Sequence, residues 1–149
     1  MRNPVVFYLL ILSAMLSSCE PGIKRGADIS ANHISYIKSL GLLSEGEHII
    51  LFDAQYKIRK SGNFFTNKRI AAYWIDDKNG KKSAVHSAYY REIDSVKSRF
   101  DPTRGSVFSS FLEVYPRGME KFRVYVWADS AETRYFFEQA IAEWKKNRQ

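Results

Sequence analysis

Cysteine is all but missing from this chain. Cys19 is the only one, so no intramolecular disulfide can form and whatever folds must be held together by its core. Histidine is scarce too: His33, His48 and His86 sit in no recognisable motif, and there is no H-E-x-x-H, no G-x-S-x-G and no phosphate-binding loop. Glu45, Glu47 and His48 are close in sequence, but on a turn leading into a strand, where solvated side chains are a better reading than metal ligands. These absences leave no metal centre, no cofactor and no catalytic constellation, and the chain reads as a binding protein rather than an enzyme. Long apolar runs are missing as well. The longest covers residues 5–16, about 18 Å of helix against the ~30 Å hydrocarbon core of a bilayer, too short to span it. Acidic side chains are in deficit, 16 against 23 basic ones for a formal charge of +7, which favours contact with anionic surfaces. What is abundant is apolar and aromatic: 45% and 15% of the residues, a composition that excludes general disorder and predicts one packed body.

The start of the chain has the layout of an export signal. Arg2 gives the positive region, and Val5 to Leu16 the apolar core. The ending Leu16-Ser17-Ser18-Cys19 resembles the lipobox of bacterial lipoproteins, with a large aliphatic residue, two small ones and then the acylated cysteine. That resemblance implies removal of residues 1–18 and a membrane anchor of acyl chains on Cys19, each buried CH₂ contributing about 0.8 kcal/mol. Glu20 follows the cysteine, in place of the aspartate associated with inner-membrane retention. The resemblance therefore implies the outer membrane, facing the periplasm, in a bacterium with two membranes. Export also sets nucleic acid aside as a partner. Residues 19–32 read as the acylated N-terminus and a flexible tether, whose stretch 20–27 would reach at most about 29 Å when extended.

The remainder, residues 33–149, is the length of one domain. Ile34, Ile37 and Leu40 recur at three-residue spacing ahead of Gly41, which predicts a short helix over 28–40 with a glycine cap. Strands are expected at 49–52, 63–66 and 70–75. Asp77-Lys78-Asn79-Gly80 predicts a tight hairpin, because Asn-Gly accepts positive φ at both turn positions, and 83–88 is the returning strand. Residues 89–100 fit two patterns. Tyr89, Ile93, Val96 and Phe100 have helical spacing, while a strand would need a bulge between Ile93 and Val96. Residues 107–115 and 122–128 read as strands, the second with Phe122, Val124 and Val126 on one face and Lys121, Arg123 and Tyr125 on the other. Asp129-Ser130-Ala131-Glu132 opens a helix with a capping pattern, and Phe136, Phe137, Ala140, Ile141 and Trp144 form its apolar stripe. The sum is a mainly β domain, a barrel of about seven antiparallel strands plugged by one long C-terminal helix and preceded by a short one.

Two stretches carry a family resemblance. Gly41-Leu42-Leu43-Ser44-Glu45-Gly46-Glu47-His48 and, farther on, Thr66-Asn67-Lys68-Arg69 are similar to the opening and the strand turn of bacterial pleckstrin-homology-like domains. In that resemblance Thr66-Asn67-Lys68-Arg69 marks the fold, with Asn67 shaping the turn and Arg69 covering the sheet. It also implies a ligand region. Lys57, Arg59 and Lys60, with Lys68 and Arg69 one strand later, are the candidate binding residues, since related domains use basic residues of the first hairpin; solvated edge-strand lysines are the competing description. The function expected is a membrane-anchored, non-catalytic module that binds an envelope protein or peptide at a sheet edge or beside the last helix. Binding of anionic lipid or glycan through the basic cluster is the alternative, and a periplasmic hydrolase with a site assembled only in space is the alternative of another class.

Overall fold

The computed structural model describes residues 22–101 and 110–149. The signal segment 1–18, Cys19 and the beginning of the strand expected at 107–115 lie outside the described residues. A short strand β1 (Lys24–Arg25) and a 3-10 turn (Gly26–Asp28) lead into helix α1 (Ala31–Ser39). The strands β2 (Ile49–Asp53), β3 (Ser61–Thr66), β4 (Arg69–Trp74) and β5 (Ala84–Tyr89) follow. After them come β6 (Ile93–Arg99), β7 (Phe111–Pro116), β8 (Phe122–Tyr125) and the closing helix α2 (Ser130–Asn147). All pairings are antiparallel, in one sheet ordered β1-β2-β3-β4-β5 and another ordered β6-β7-β8. The mainly β domain closed by a C-terminal helix is thus as the sequence predicts.

The middle of the first sheet is buried on both faces, which explains why β3 and β4 show no clean alternation of apolar and polar residues. Phe65, Ile70 and Ala88 are register partners across β3, β4 and β5, and they face the second sheet and α2. There Leu112, Val114, Val124, Phe136 and Trp144 complete one core. On the opposite face Phe52, Phe64, Ala71 and Tyr73 pack with Ile37 of α1 and with Leu42 and Leu43 in a second core. Helix α1 begins at Ser30, whose hydroxyl accepts from the His33 amide, and ends before Gly41 at φ +76°, the left-handed conformation the sequence assigned to a glycine.

Helix α2 closes one end of the barrel. Asp129 Oδ1 accepts from the Glu132 amide at 2.8 Å and caps it. Phe136 meets Phe65 edge-on at 5.2 Å between centroids, and the Trp144 indole donates to the Ile93 carbonyl at 3.2 Å.

Three sequence expectations change. The stretch 89–100 resolves into a 3-10 turn (Tyr90–Glu92) and strand β6, with the register irregularity between Ile93 and Ser95 that a strand there requires. The β4–β5 connection is not a two-residue turn: Asn79 has φ −143°, its side chain accepts from the Lys81 amide, and a 3-10 turn (Gly80–Lys82) follows. The competing local bond of Asn79 replaces the positive-φ geometry. Residues 24–28, expected as tether, belong to the fold. Lys24 and Arg25 pair with Phe52 and Leu51, and Gly26 passes so close over β2 that a Cβ there would lie 1.9 Å from the Ile49 carbonyl oxygen. A side chain of any kind at that crossing would push β1 away.

Candidate functional site: a cleft at the mouth of the barrel

One end of the barrel is organised by strand β8, which crosses the first sheet from β5 to β2. Phe122 stacks on His86 of β5 with centroids 5.6 Å apart and planes 9° apart. Farther along, the Tyr125 amide donates to Asn63 Oδ1 of β3 at 2.9 Å, and the Trp127 amide to Asp53 Oδ2 of β2 at 2.7 Å. Strand parity dictates this. The Val126 amide bonds to the Ser110 carbonyl on the β7 side, and Leu112 opposes Val124, so the amides of residues 123, 125 and 127 point away from β7. Asn63 and Asp53 occupy inward positions on their strands and supply the acceptors these amides need. Burial pushes the Asp53 carboxyl up to about 6, although the amides of Trp127 and Gln55 act in the opposite sense.

Beside β8 the mouth opens into a cleft of about 510 Å³, within the range typical of small-ligand and peptide pockets. Trp74, Ala84 and His86 line one wall and Phe122, Arg123 and Tyr125 the other. Trp74 lies one inward position beyond the row that β8 covers, so its indole remains 48% exposed. The rim is charged but balanced. Glu113 accepts from the Tyr115 hydroxyl, from Lys121 Nζ at 3.0 Å and from Arg123 Nε at 3.1 Å. With Tyr115 first and Lys121 next in effect, these donors hold its carboxyl down at about 2. Glu120 adds a second negative charge to the lining.

None of the five basic residues singled out in the sequence lines this cleft. Lys57, Arg59 and Lys60 sit in the β2–β3 connection: Lys57 is exposed, Arg59 lies over the Tyr36 ring at 5.2 Å, and Lys60 pairs with Asp77. Lys68 and Arg69 lie past the far end of β3, roughly 20 Å away along a six-residue strand. The structure therefore splits the cluster in two. Lys68 reaches the Glu45 carbonyl at 3.2 Å. Arg69 is turned into the fold and does not spread over the sheet. It is 4% exposed and holds Glu47 through two nitrogens, Nε at 2.9 Å and Nη2 at 2.8 Å, while also donating to Ser44 and Tyr89. Glu47, expected on a solvated turn, is consequently buried. Burial alone would raise its carboxyl, but Arg69, the Thr66 hydroxyl and the Ser44 amide outweigh it and leave the group below its ordinary value. Thr66 also accepts from the amides of Lys68 and Arg69, and Asn67 from that of His48, so Thr66-Asn67-Lys68-Arg69 is a structural turn.

The residues that make the cleft and its closure, Asp53, Asn63, Trp74, His86, Arg123 and Tyr125, were not picked out from sequence. A faint signal exists for two of them: Asp53 and Asn63 are polar residues embedded in apolar strand segments.

Two sheets, the second laid across the first, with one end plugged by a C-terminal helix and the other open, define a pleckstrin-homology-like domain. Solved structures agree. The chain is similar to a DUF1696 family protein with a pleckstrin-homology domain from Shewanella loihica PV-4, at 16% identity and a TM-score of 0.51, covering 84% of this chain and 98% of that one. It is also similar to a pleckstrin homology domain from Shewanella amazonensis SB2B, at 18% identity and a TM-score of 0.50, covering 90% and 97%. At these identities the likeness is one of fold. No family model and no curated protein matches the chain.

Proposed function

We propose that this chain is an envelope lipoprotein, anchored through Cys19 on the periplasmic face of the outer membrane, whose pleckstrin-homology-like domain binds a protein or peptide segment in the mouth cleft and catalyses no reaction. The observation that carries the binding proposal is the placement of Trp74. It projects from a strand that is otherwise buried, faces a concave surface shared with His86 and Tyr125, and stays half exposed. Aromatic side chains in such settings supply most of the energy of protein recognition. Leu16-Ser17-Ser18-Cys19 supports the anchor.

Charge favours a peptide over anionic lipid or glycan. Lys121 and Arg123 are already held by Glu113, and the basic residues of the β2–β3 connection stand outside the cleft, so the cleft is not a cationic concavity. Hydrolysis is disfavoured by the state of the nearby acids: Glu113 is engaged by three donors, and Asp53 is buried against backbone amides.

The test is selection of a random seven-residue peptide library, displayed on phage, against the purified full chain. Selected peptides are expected to lose about tenfold or more in affinity for Trp74→Ala and to bind Lys57→Ala unchanged. Peptides indifferent to Trp74, or displaced by phosphatidylglycerol vesicles through Lys57, would refute the proposal.

A further inference from the structure

The free edge of β8 indicates how an occupant lies in the cleft. Of the three amides that point away from β7, those of Tyr125 and Trp127 are taken by Asn63 and Asp53. The Arg123 amide points the same way by strand parity. Among the described residues no side chain accepts from it, and Arg123 lines the cleft. The fold thus satisfies two positions of this edge with side chains and, among the described residues, leaves the third without one.

We infer that the occupant is an extended peptide segment that adds to the β8 edge opposite Arg123. This inference rests on the peptide-binding proposal above and specifies its geometry. An unpaired strand edge is a template for another strand, and main-chain bonding then provides affinity while alternate side chains provide selectivity. The two faces of the added strand meet different surroundings. Inward-facing side chains meet Trp74, Ala84 and His86 and are apolar. Outward-facing ones lie on the same face as Lys121 and Arg123, which Glu113 already holds, and are polar. The recognised sequence is accordingly an alternation of apolar and polar residues.

The experiment uses the peptides selected on the full chain, each remade with one backbone nitrogen methylated at a time. Strand addition predicts a period of two: methylation costs about tenfold in affinity at alternate positions, where the N–H faces β8, and little at the others. Hydrogen exchange of the Arg123 amide, followed by NMR, is expected to slow about tenfold on binding. Uniform tolerance of methylation, or unchanged exchange at Arg123, overturns strand addition while leaving cleft binding in place if Trp74→Ala still abolishes it. A selection whose peptides ignore Trp74→Ala overturns both.

Discussion

Asp53 and Arg69 show how two side chains of opposite charge can be buried in one small domain for different reasons. Arg69 and Glu47 are paired in bidentate fashion, with the remaining donors satisfied. Removal of either partner would strand a buried charge. The pair contributes above the ordinary glutamate range, and its contribution fades as pH falls through the lowered value. Asp53 has no cationic partner in the bonds it makes with Trp127 and Gln55, and its carboxyl is raised from 3.8 to about 6. In that window the folded protein retains a proton that the unfolded chain has released, so this site weakens the fold as pH rises through it. Asp53→Asn keeps an acceptor for the Trp127 amide and does not titrate. The variant is expected to be more stable than the parent at pH 7.5 by about 1–3 kcal/mol, and the gap should close toward pH 4. Urea denaturation at both pH values measures it, and a gap independent of pH would contradict the assignment.

Among the elements, α2 is the one whose role follows most directly from its residues. Phe136, Phe137, Ala140 and Trp144 recur with helical spacing, and all are buried against the barrel. Truncation of a buried aromatic typically costs about 3–5 kcal/mol, so Trp144→Ala should lower the denaturation midpoint clearly, while Lys145→Ala, on the exposed face, should change stability by less than ~0.5 kcal/mol. Equal midpoints for both variants would make the helix peripheral. The same periodicity that exposes this helix in the sequence also exposes the inner face of β8, and Gly41 ends α1 as its sequence context requires. Other features are not legible in that way. Helix and strand patterns overlap over 89–100 because a bulge mimics helical spacing. The doubly buried β3 and β4 lose the alternation that marks a half-exposed strand. The basic residues near β3 attract attention by proximity in sequence, yet a strand of six residues carries them to opposite ends of the sheet. The cleft is assembled from β4, β5 and β8, segments up to 51 residues apart between Trp74 and Tyr125, and only their crossing brings them together.

For the molecule as a whole, the proposed anchor and the cleft are linked through the short strand β1. If Cys19 is the acylated residue, Cys19→Ser should abolish incorporation of labelled palmitate and leave unprocessed precursor; equal labelling of variant and parent would remove the anchor from the proposal. Lys24 opposes Phe52, so the chain enters the domain beside the Asp53 end of β2, two residues from Gln55 of the cleft lining. Cys19 is three residues before Gly22, a span of at most about 11 Å. An anchored domain with so short a leash searches for its partner in two dimensions, within the thin layer above its own leaflet. A segment displayed in the same layer is met at a high effective concentration, so even a weak strand-to-strand contact suffices to hold it, whereas the same peptide free in solution would be bound only in passing.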